Sequence, residues 1–368
     1  MVATATLVAA LAAAAVVVVV VADGGGTTRQ AGRTTPPRRP APAAPAPGTT
    51  TPVPGLKRPL AGLLTRDGPP GPALASAVSG WVVNADWSDL QPTPDGPLAR
   101  DNVIDRAIAE ARRTAAPGTT AELKVRLFAG THAPEWAKSL GGAPVPVTDP
   151  QSGRTGTIGR FWEAAFGRAY AQLQVRLGAA YDAVPEIREV TAARCTTFYS
   201  EPFIRDAQAK ATISALLGAG FTAAADETCQ REQIDAHDVW HQTRTSLAFN
   251  PYQHLEPAGT WFNDMAFTRQ MAASCRQRLG NRCVLENNSV RWPVLGDGAL
   301  YDVLRSFGPP FTFQTATIER VGDLAGAVRF CVDLGAGAVE LPGGSAVPVA
   351  DLAVLDRALR ANADRVPG

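Results

Sequence analysis

The alternation of strand-like and helix-like segments after residue 58 most constrains what this chain can fold into. Short apolar runs such as residues 79–87 (SGWVVNADW) and 123–130 (LKVRLFAG) are separated by amphipathic segments such as residues 101–113 and 161–181. Strands that alternate with helices are typical of parallel βαβ units. The sequence therefore predicts an α/β fold with a parallel sheet.

Eight strands can be counted in this pattern. Seven are clearly marked, at residues 79–87, 123–130, 187–200, 243–250, 282–289, 310–317 and 337–344. An eighth is weakly marked between Pro59 and Val78, where LAGLLT is the best candidate. A doubly wound sheet usually carries a GxGxxG turn after its first strand, and this sequence has none. The count and the length favour a (β/α)8 TIM barrel over residues 58–368.

The helix-like segments fall between these strands. They cover residues 101–113, 161–181, 206–220, much of 221–240, 265–280, 299–308, 323–336 and 349–363.

The first 57 residues differ sharply from the rest. Residues 1–22 are apolar apart from two threonines after the initial Met, and about 20 apolar residues can span a bilayer. They predict a signal peptide or a membrane anchor, although no Lys or Arg precedes them. Residues 23–57 are rich in Pro, Ala and Thr, which predicts a disordered linker. This layout favours an extracellular or cell-envelope protein, secreted or membrane-anchored, over a cytosolic protein with a disordered tail.

The charge gives no electrostatic reason to expect a nucleic-acid partner. The formal net charge is +1, whereas nucleic-acid binding usually needs a basic patch or stripe.

The cysteines predict at least one possible disulfide. Of the five cysteines, Cys275 and Cys283 are the best candidates for a disulfide, whereas Cys195, Cys229 and Cys331 cannot all pair with one another. The connectivity cannot be read from sequence.

No metal or cofactor is predicted. The cysteines and histidines lack zinc-site spacing. His237 and His241 could share a helix face, but the HExxH glutamate is missing. GxSxG, the motif of a serine nucleophile, is also absent.

Polar and aromatic residues gather where the predicted strands end, which is where TIM barrels build their active sites. Amide, carboxylate and aromatic side chains together suit the hydroxyls and apolar faces of a sugar. Any one of them could instead be structural, such as a Trp in the core or an Asn that caps a turn. The sequence predicts a carbohydrate partner contacted by Asn84, Trp87, His132, Trp136, Tyr199, Asn250, Tyr252, Glu286, Asn287, Trp292 and Gln314.

Two motifs give a resemblance to a known group of enzymes. WSDLQP at residues 87–92, followed by a helix and a strand ending in GTHAPEW at residues 130–136, resembles the second and third barrel repeats of clan A glycoside hydrolases. The β-galactosidase-like members are nearest. In that clan the acid/base Glu follows strand four, commonly as Asn-Glu-Pro. Strand four ends here in Ser200-Glu201-Pro202, so the resemblance implies that Glu201 is the proton donor.

The sequence departs from the clan at its other catalytic position. The clan's nucleophile is a Glu at the end of strand seven, where this sequence has Gln314. An amide cannot form the glycosyl ester of a retaining mechanism. Ser200 also replaces the usual Asn before the acid/base residue, and Gln91 replaces the usual Glu of the WSDLQP turn.

Three carboxylates are candidates for the second catalytic group. Glu319 lies five residues past Gln314, Glu340 ends strand eight opposite strand four, and Glu286 follows strand six. Glu319 would be the nucleophile of a retaining pair if strand seven ends later than predicted, whereas Glu201 and Glu340 would form an inverting pair, whose carboxyl groups stand roughly 6.5 to 9.5 Å apart; the sequence leaves both open. Two functions stay open: a glycoside hydrolase, or an inactive barrel of this type that binds cell-envelope glycan. Glu201 as a solvated turn residue is the plainer alternative.

Overall fold

The computed structural model describes residues 55–367 apart from 73, 116–119, 295, 297 and 344–347. The predicted signal or anchor segment and nearly all of the predicted linker lie outside these residues. Within the described part, eight parallel strands close into a barrel. The predicted (β/α)8 fold is confirmed.

Each barrel strand pairs with its neighbours in chain order, and the last closes on the first. The register of closure runs from Gly62 opposite Ala338 to Thr65 opposite Leu341. The weakly marked LAGLLT strand therefore exists. The strands are β1 (Gly62–Thr65), β2 (Gly80–Asp86), β3 (Glu122–Phe128), β4 (Ile187–Thr191), β5 (Arg244–Ala248), β6 (Cys283–Val290), β7 (Phe311–Thr315) and β8 (Ala338–Leu341).

The longer helices surround the barrel. They are α1 (Val103–Thr114), α2 (Ala164–Tyr181), α3 (Lys210–Gly218), α4 (Ala223–Ala236), α5 (Met265–Leu279), α6 (Gly298–Phe307), α7 (Leu324–Leu334) and α8 (Val349–Ala363). Short helices at Trp87–Leu90 and Glu135–Lys138 follow β2 and β3, and 3-10 turns lie at His237–Val239 and Gly280–Arg282.

Helix α1 shows how the sequence specifies these elements. The Asn102 side chain accepts hydrogen bonds from the first turn, and the Asp105 carboxylate accepts one from the Asn102 backbone N–H, which forms a capping box. Ile104, Ile108 and Ala111 are buried on one face of the helix, at the spacing of an amphipathic helix. The cap fixes where α1 begins, and the apolar face attaches it to the barrel.

One predicted helix boundary differs in a way that matters for function. The segment expected to be helical from residue 206 begins only at Lys210. Asp206 has φ 50°, which is outside the right-handed helical region. Residues 206–209 therefore belong to the loop after β4.

Two β-hairpins extend the loops that follow β3 and β5. The first pairs Val145–Thr148 with Thr155–Ile158, and the second pairs Tyr252–Leu255 with Trp261–Asp264. Both are inserted after the carboxyl end of a barrel strand. They therefore raise the wall on the side where a TIM barrel binds its ligand.

Two disulfides link described cysteines. Cys275 is bonded to Cys283, as predicted, and Cys195 is bonded to Cys229. Cys331 is a buried free thiol. The Cys195–Cys229 bond attaches the loop after β4 to α4.

The end of the predicted linker already contacts the barrel. The Lys57 ammonium group donates to the carbonyl oxygens of Val184 and Ile187 and to the Thr243 hydroxyl, at 2.7 to 2.9 Å. Burial lowers the pKa of Lys57 to about 8, although Asp182 opposes the shift. Lys57 therefore ties the amino-terminal end of the described chain to the bottom of the barrel.

None of the described helices is long and apolar enough to cross a membrane.

Candidate active site

A cavity of about 610 Å³ opens at the carboxyl ends of the barrel strands. Five of the predicted site residues line it: Asn84, Tyr199, Glu201, Asn250 and Gln314. Residues of both hairpins complete the wall, including Gln151 of the first and Trp261 and Asn263 of the second. The volume lies within the usual range for small-ligand sites, about 300 to 1,000 Å³.

Glu201 lies half-buried in this cavity. The Asn250 side chain donates a hydrogen bond to Glu201 Oε1 at 3.3 Å. Burial raises the pKa of Glu201, the negative charge of Asp206 raises it further, and the Asn250 hydrogen bond and the charge of Arg126 oppose the shift. A carboxyl group tuned in this direction holds its proton longer, as a general acid requires.

Arg205 fixes the loop that carries Glu201 through buried hydrogen bonds. Its guanidinium is fully buried and donates to both carboxylate oxygens of Asp226 on α4, at 2.6 and 2.7 Å. It also donates to the carbonyl oxygens of Pro202, at 2.6 Å, and Cys195, at 3.1 Å. Arg205 therefore holds the backbone on the carboxyl side of Glu201 in place.

Gln314 lies on β7 and faces the same cavity. Its side-chain amide donates to the carbonyl oxygen of Asn288 at 2.9 Å. This bond orients the amide. The position predicted for a nucleophile thus presents a neutral, hydrogen-bonded side chain.

Glu340 and Glu286 lie instead inside the barrel, with no exposed surface. The Lys124 ammonium group lies 2.5 Å from Glu286, 2.8 Å from Glu340 and 3.1 Å from Glu189. Arg126 also contacts Glu340. We call Lys124, Glu189, Glu286 and Glu340 the floor cluster, because Lys124 precedes the cavity-lining Arg126 by two residues along β3.

The electrostatics of the floor cluster are those of a structural network. Burial alone would raise the pKa of Glu340, but the charges of Arg126 and Lys124 lower it below its ordinary value. The structure therefore does not bring Glu340, one candidate partner of Glu201, to the cavity. Glu286, predicted to bind substrate, is held in the same network, but burial raises its pKa to about 7 against the opposing charge of Lys124.

Glu319 takes a third kind of position. It is exposed in the turn after β7, next to the cavity-lining Thr317 and Arg320 but outside the lining. Hydrogen bonds from its own backbone and from Thr317 lower its pKa.

The aromatic residues of the two motifs build the core next to the site. Trp87 is fully buried and packs edge-to-face on Trp136, with ring centroids 5.7 Å apart. The Trp87 indole donates to the Gln91 side chain, and the Trp136 indole donates to the Gln91 carbonyl oxygen, each at 3.2 Å. Neither Trp is brought to the cavity, because both serve to lock the WSDLQP turn.

The other four predicted substrate contacts also lie outside the cavity lining. Tyr252 is fully buried and its hydroxyl donates to Asp226 at 2.9 Å. Asn287 is buried and its side chain donates to the Phe249 carbonyl oxygen at 2.8 Å. His132 lies at the rim, 2.8 Å from Asp86. Trp292 is partly exposed beside Phe330, outside the cavity.

Arg126 and Asp206 are among the cavity-lining residues that sequence reasoning missed. Arg126 was signalled by LKVRLF, in which two cations alternate with apolar residues and so must share the inward face. Asp206 gave only a misleading signal, since an Asp before a helical pattern reads as a helix start.

Comparison with known proteins supports the fold. No family model matches the chain, and no curated protein sequence matches it. The β-galactosidase of Rahnella sp. R3 is similar in structure, with a TM-score of 0.51 and 13% identity over 86% of this chain and 58% of that one. The likeness shows that the chain shares the (β/α)8 barrel fold of this β-galactosidase.

Two further solved structures have lower scores. Endo-glycoceramidase II from Rhodococcus sp. gives a TM-score of 0.46 and 15% identity over 81% of this chain and 80% of that one. The β-galactosidase from the psychrophilic Marinomonas ef1 gives 0.48 and 11% over 82% and 60%. At these identities the likeness concerns the fold alone, so the activity has to be argued from the cavity.

Among the described residues, no group of three or more His, Cys, Asp and Glu side chains could hold a metal ion.

Proposed function

We propose that this protein is a glycoside hydrolase in which Glu201 donates the proton to the leaving glycosidic oxygen. The observation that carries the proposal is the environment of Glu201. It is a half-buried carboxyl group inside the cavity, oriented by Asn250, and burial raises its pKa. General acid catalysis of this kind contributes about 10² to 10⁴ in rate.

The cavity wall suits a carbohydrate. Amide side chains from separate elements, Asn84, Asn250 and Asn263, line it together with Trp261. Amides can both donate to and accept from sugar hydroxyls, and an indole face can cover the apolar face of a sugar ring. A glycan of one or a few sugar units is the substrate that this wall favours.

We also propose that the protein acts outside the cytoplasm. The predicted signal or anchor segment and linker favour export. The two disulfides support it, because disulfides persist mainly in oxidising compartments.

A second function is favoured by one observation. Gln314 occupies the strand-seven position in the cavity, while Glu340 is neutralised inside the floor cluster. A barrel without a second catalytic carboxylate would bind a cell-envelope glycan without cleaving it.

The test compares the wild-type full chain with Glu201→Gln on a panel of aryl glycosides and envelope polysaccharides. We expect Glu201→Gln to lower turnover by about 10² to 10⁴ on substrates with poor leaving groups, and to matter less for activated aryl glycosides, which need little protonation. Glu135→Gln, at an exposed side chain whose ion-pair partner Lys138 is mostly buried, is the matched control, because Gln keeps an oxygen that can accept from Lys138. Equal turnover by wild type and Glu201→Gln would refute the proton-donor role. Binding without turnover in all three proteins would establish the second function.

A further inference from the structure

Asp206 is a buried carboxylate in the cavity that neither motif assigns. Its side chain is only 3% exposed, yet it lines the cavity together with Glu201. Among the described residues, Asp206 Oδ2 is buried without a hydrogen-bond partner. Buried polar atoms are nearly always hydrogen-bonded, so an unpartnered carboxylate oxygen beside a cavity indicates that a ligand or water supplies the donor.

The backbone at Asp206 is held in an uncommon conformation. Its φ of 50° is in the left-handed region, which non-glycine residues seldom adopt, although Asp and Asn tolerate it best. The preceding residue, Arg205, is fixed to Asp226 on α4. Such a conformation persists only where the surroundings impose it, and it is found preferentially at functional sites.

The groups around Asp206 leave it ionised near neutral pH. Burial and the charge of Asp149 raise its pKa to about 6, while a hydrogen bond from Thr197 and the charge of Arg205 oppose the shift. Glu201, in the same cavity, has a raised pKa that the Asp206 charge helps to produce. The two carboxyl groups of the cavity therefore have different partners: an amide for Glu201, and a hydroxyl and a guanidinium charge for Asp206.

We propose that Asp206 is the general base that activates water, with Glu201 as the acid, in an inverting hydrolysis. This inference rests on the proposed glycosidase function. Asp206 supplies the second carboxylate that the site needs, because Gln314 is an amide and Glu340 and Glu286 are buried in the floor cluster.

The step balances without a covalent intermediate. Asp206 Oδ2 takes a proton from water as the water oxygen bonds to the anomeric carbon. The bond between that carbon and the glycosidic oxygen breaks, and Glu201 transfers its proton to the leaving oxygen. Asp206 is left protonated and Glu201 ionised, and exchange with solvent resets both. The product has the inverted anomeric configuration.

The experiment uses the full chain in four forms: wild type, Asp206→Asn, Asp206→Gly and Asp302→Asn. Asn keeps the shape of Asp and tolerates a positive φ, and Gly adopts it freely. Asp302 is an exposed residue on α6 and serves as the control. Thermal unfolding confirms that each variant is folded before turnover and glycan affinity are measured.

We expect Asp206→Asn to lower kcat by about 10² to 10⁴ while the Kd for glycan changes little. Proton NMR of fresh wild-type product should show inversion. Sodium azide, a nucleophile that needs no base, should restore cleavage by Asp206→Gly and give a glycosyl azide.

The outcomes separate this inference from the proposed function. Retention of configuration, or full activity in Asp206→Asn, overturns the base role and leaves the role of Glu201 standing. A loss of affinity that accounts for the whole loss of activity makes Asp206 a hydroxyl-binding residue and also overturns the base role. A wild-type protein that cleaves no glycan overturns both.

Discussion

Glu340 in the floor cluster is buried and Glu201 in the cavity above it is half-buried, and the surroundings of the two carboxylates shift their pKa in opposite directions. Lys124 and Arg126 surround Glu340 and lower its pKa. Burial raises the pKa of Glu201 in the cavity, where an amide is its hydrogen-bond partner. The same residue type is therefore held as an anion at Glu340 and left titratable at Glu201. Burial alone does not mark a functional carboxylate, because it also raises the pKa of Glu286 in the floor cluster to about 7.

The largest expected effect comes from removing the cation of the floor cluster. Lys124→Met would leave three carboxylates in the barrel interior without their shared ammonium group. Breaking a buried ion network from one side costs about 3 to 5 kcal/mol. Urea unfolding should show this loss, or a failure to fold, whereas Lys210→Met on the exposed start of α3 should not. A Lys124→Met protein as stable as wild type would show that the floor carboxylates are protonated and that the contrast is false.

The second prediction concerns the free energy of unfolding that each disulfide contributes, including the one that attaches the loop after β4 to α4. Cys195–Cys229 closes a loop over a separation of 34 residues, and Cys275–Cys283 over 8. Loop-closure entropy predicts losses of about 4 and about 2.5 kcal/mol when each pair is replaced by Ala. Unfolding of the two double variants measures the difference. A larger loss for the shorter loop would mean that local packing, not chain entropy, dominates.

The third effect is a gain in stability. The pKa of Asp206 is raised from 3.8 to about 6 on folding. Its ionised form therefore destabilises the native state above pH 6, by about 3 kcal/mol. This penalty diminishes as the pH falls through 6 and is absent below about pH 4, where the carboxyl is protonated in both states.

Asp206→Asn should therefore raise the free energy of unfolding at pH 7.5 and have little effect at pH 3.5. Denaturation of wild type and variant at both pH values measures this, with Asp302→Asn as the reference. A variant that is destabilised at pH 7.5 would show that Asp206 is a structural anion like those of the floor cluster.

The smallest expected loss of stability comes from removing an exposed ion pair. Arg278 contacts Asp235 and Asp238 at 2.6 and 3.0 Å but is 47% exposed. Exposed ion pairs contribute at most about 1 kcal/mol. Arg278→Ala should thus change the unfolding midpoint far less than Lys124→Met, and added salt should reduce its effect further. A loss as large as that of Lys124→Met would mean that the number of ionic contacts, not burial, sets the energy.

The sequence was sufficient to predict the barrel, because strand and helix periodicities are local and every strand was signalled, even the short LAGLLT. It also predicted Asn84, Asn250 and Gln314, since each lies at or just past the end of a strand and strand ends meet at one rim. Strand four was predicted to run to residue 200 but ends at Thr191, so Glu201 reaches the cavity on the loop after β4.

The sequence could not distinguish the rim from the layer below it. Glu340 pairs directly with Gln314 between β8 and β7, but Lys124 and Arg126 of β3 hold Glu340 inside the barrel, and only Gln314 lines the cavity.

Asp206 and Trp87 show two further limits of predicting the site from the sequence. The position of Asp206 depends on Arg205 reaching Asp226, a contact between residues 21 positions apart that no periodicity reveals. Trp87 was predicted to contact a sugar because it begins a loop after β2, but Gln91 and Trp136 fold that loop back into the core. Local pattern gives the element, whereas side-chain direction depends on distant partners.

Arg205 has a further consequence for how the cavity meets a ligand. Its bonds to α4 and to the carbonyl oxygens on either side of Glu201 use buried donors, so the loop from Glu201 to Asp206 is ordered when the chain folds. The entropy of arranging the two carboxylates is then spent during folding and not at each encounter with a glycan. We therefore expect a glycan to bind with little rearrangement of the loop from Glu201 to Asp206. Selectivity then depends on how well the shape of the glycan matches the cavity that is already formed.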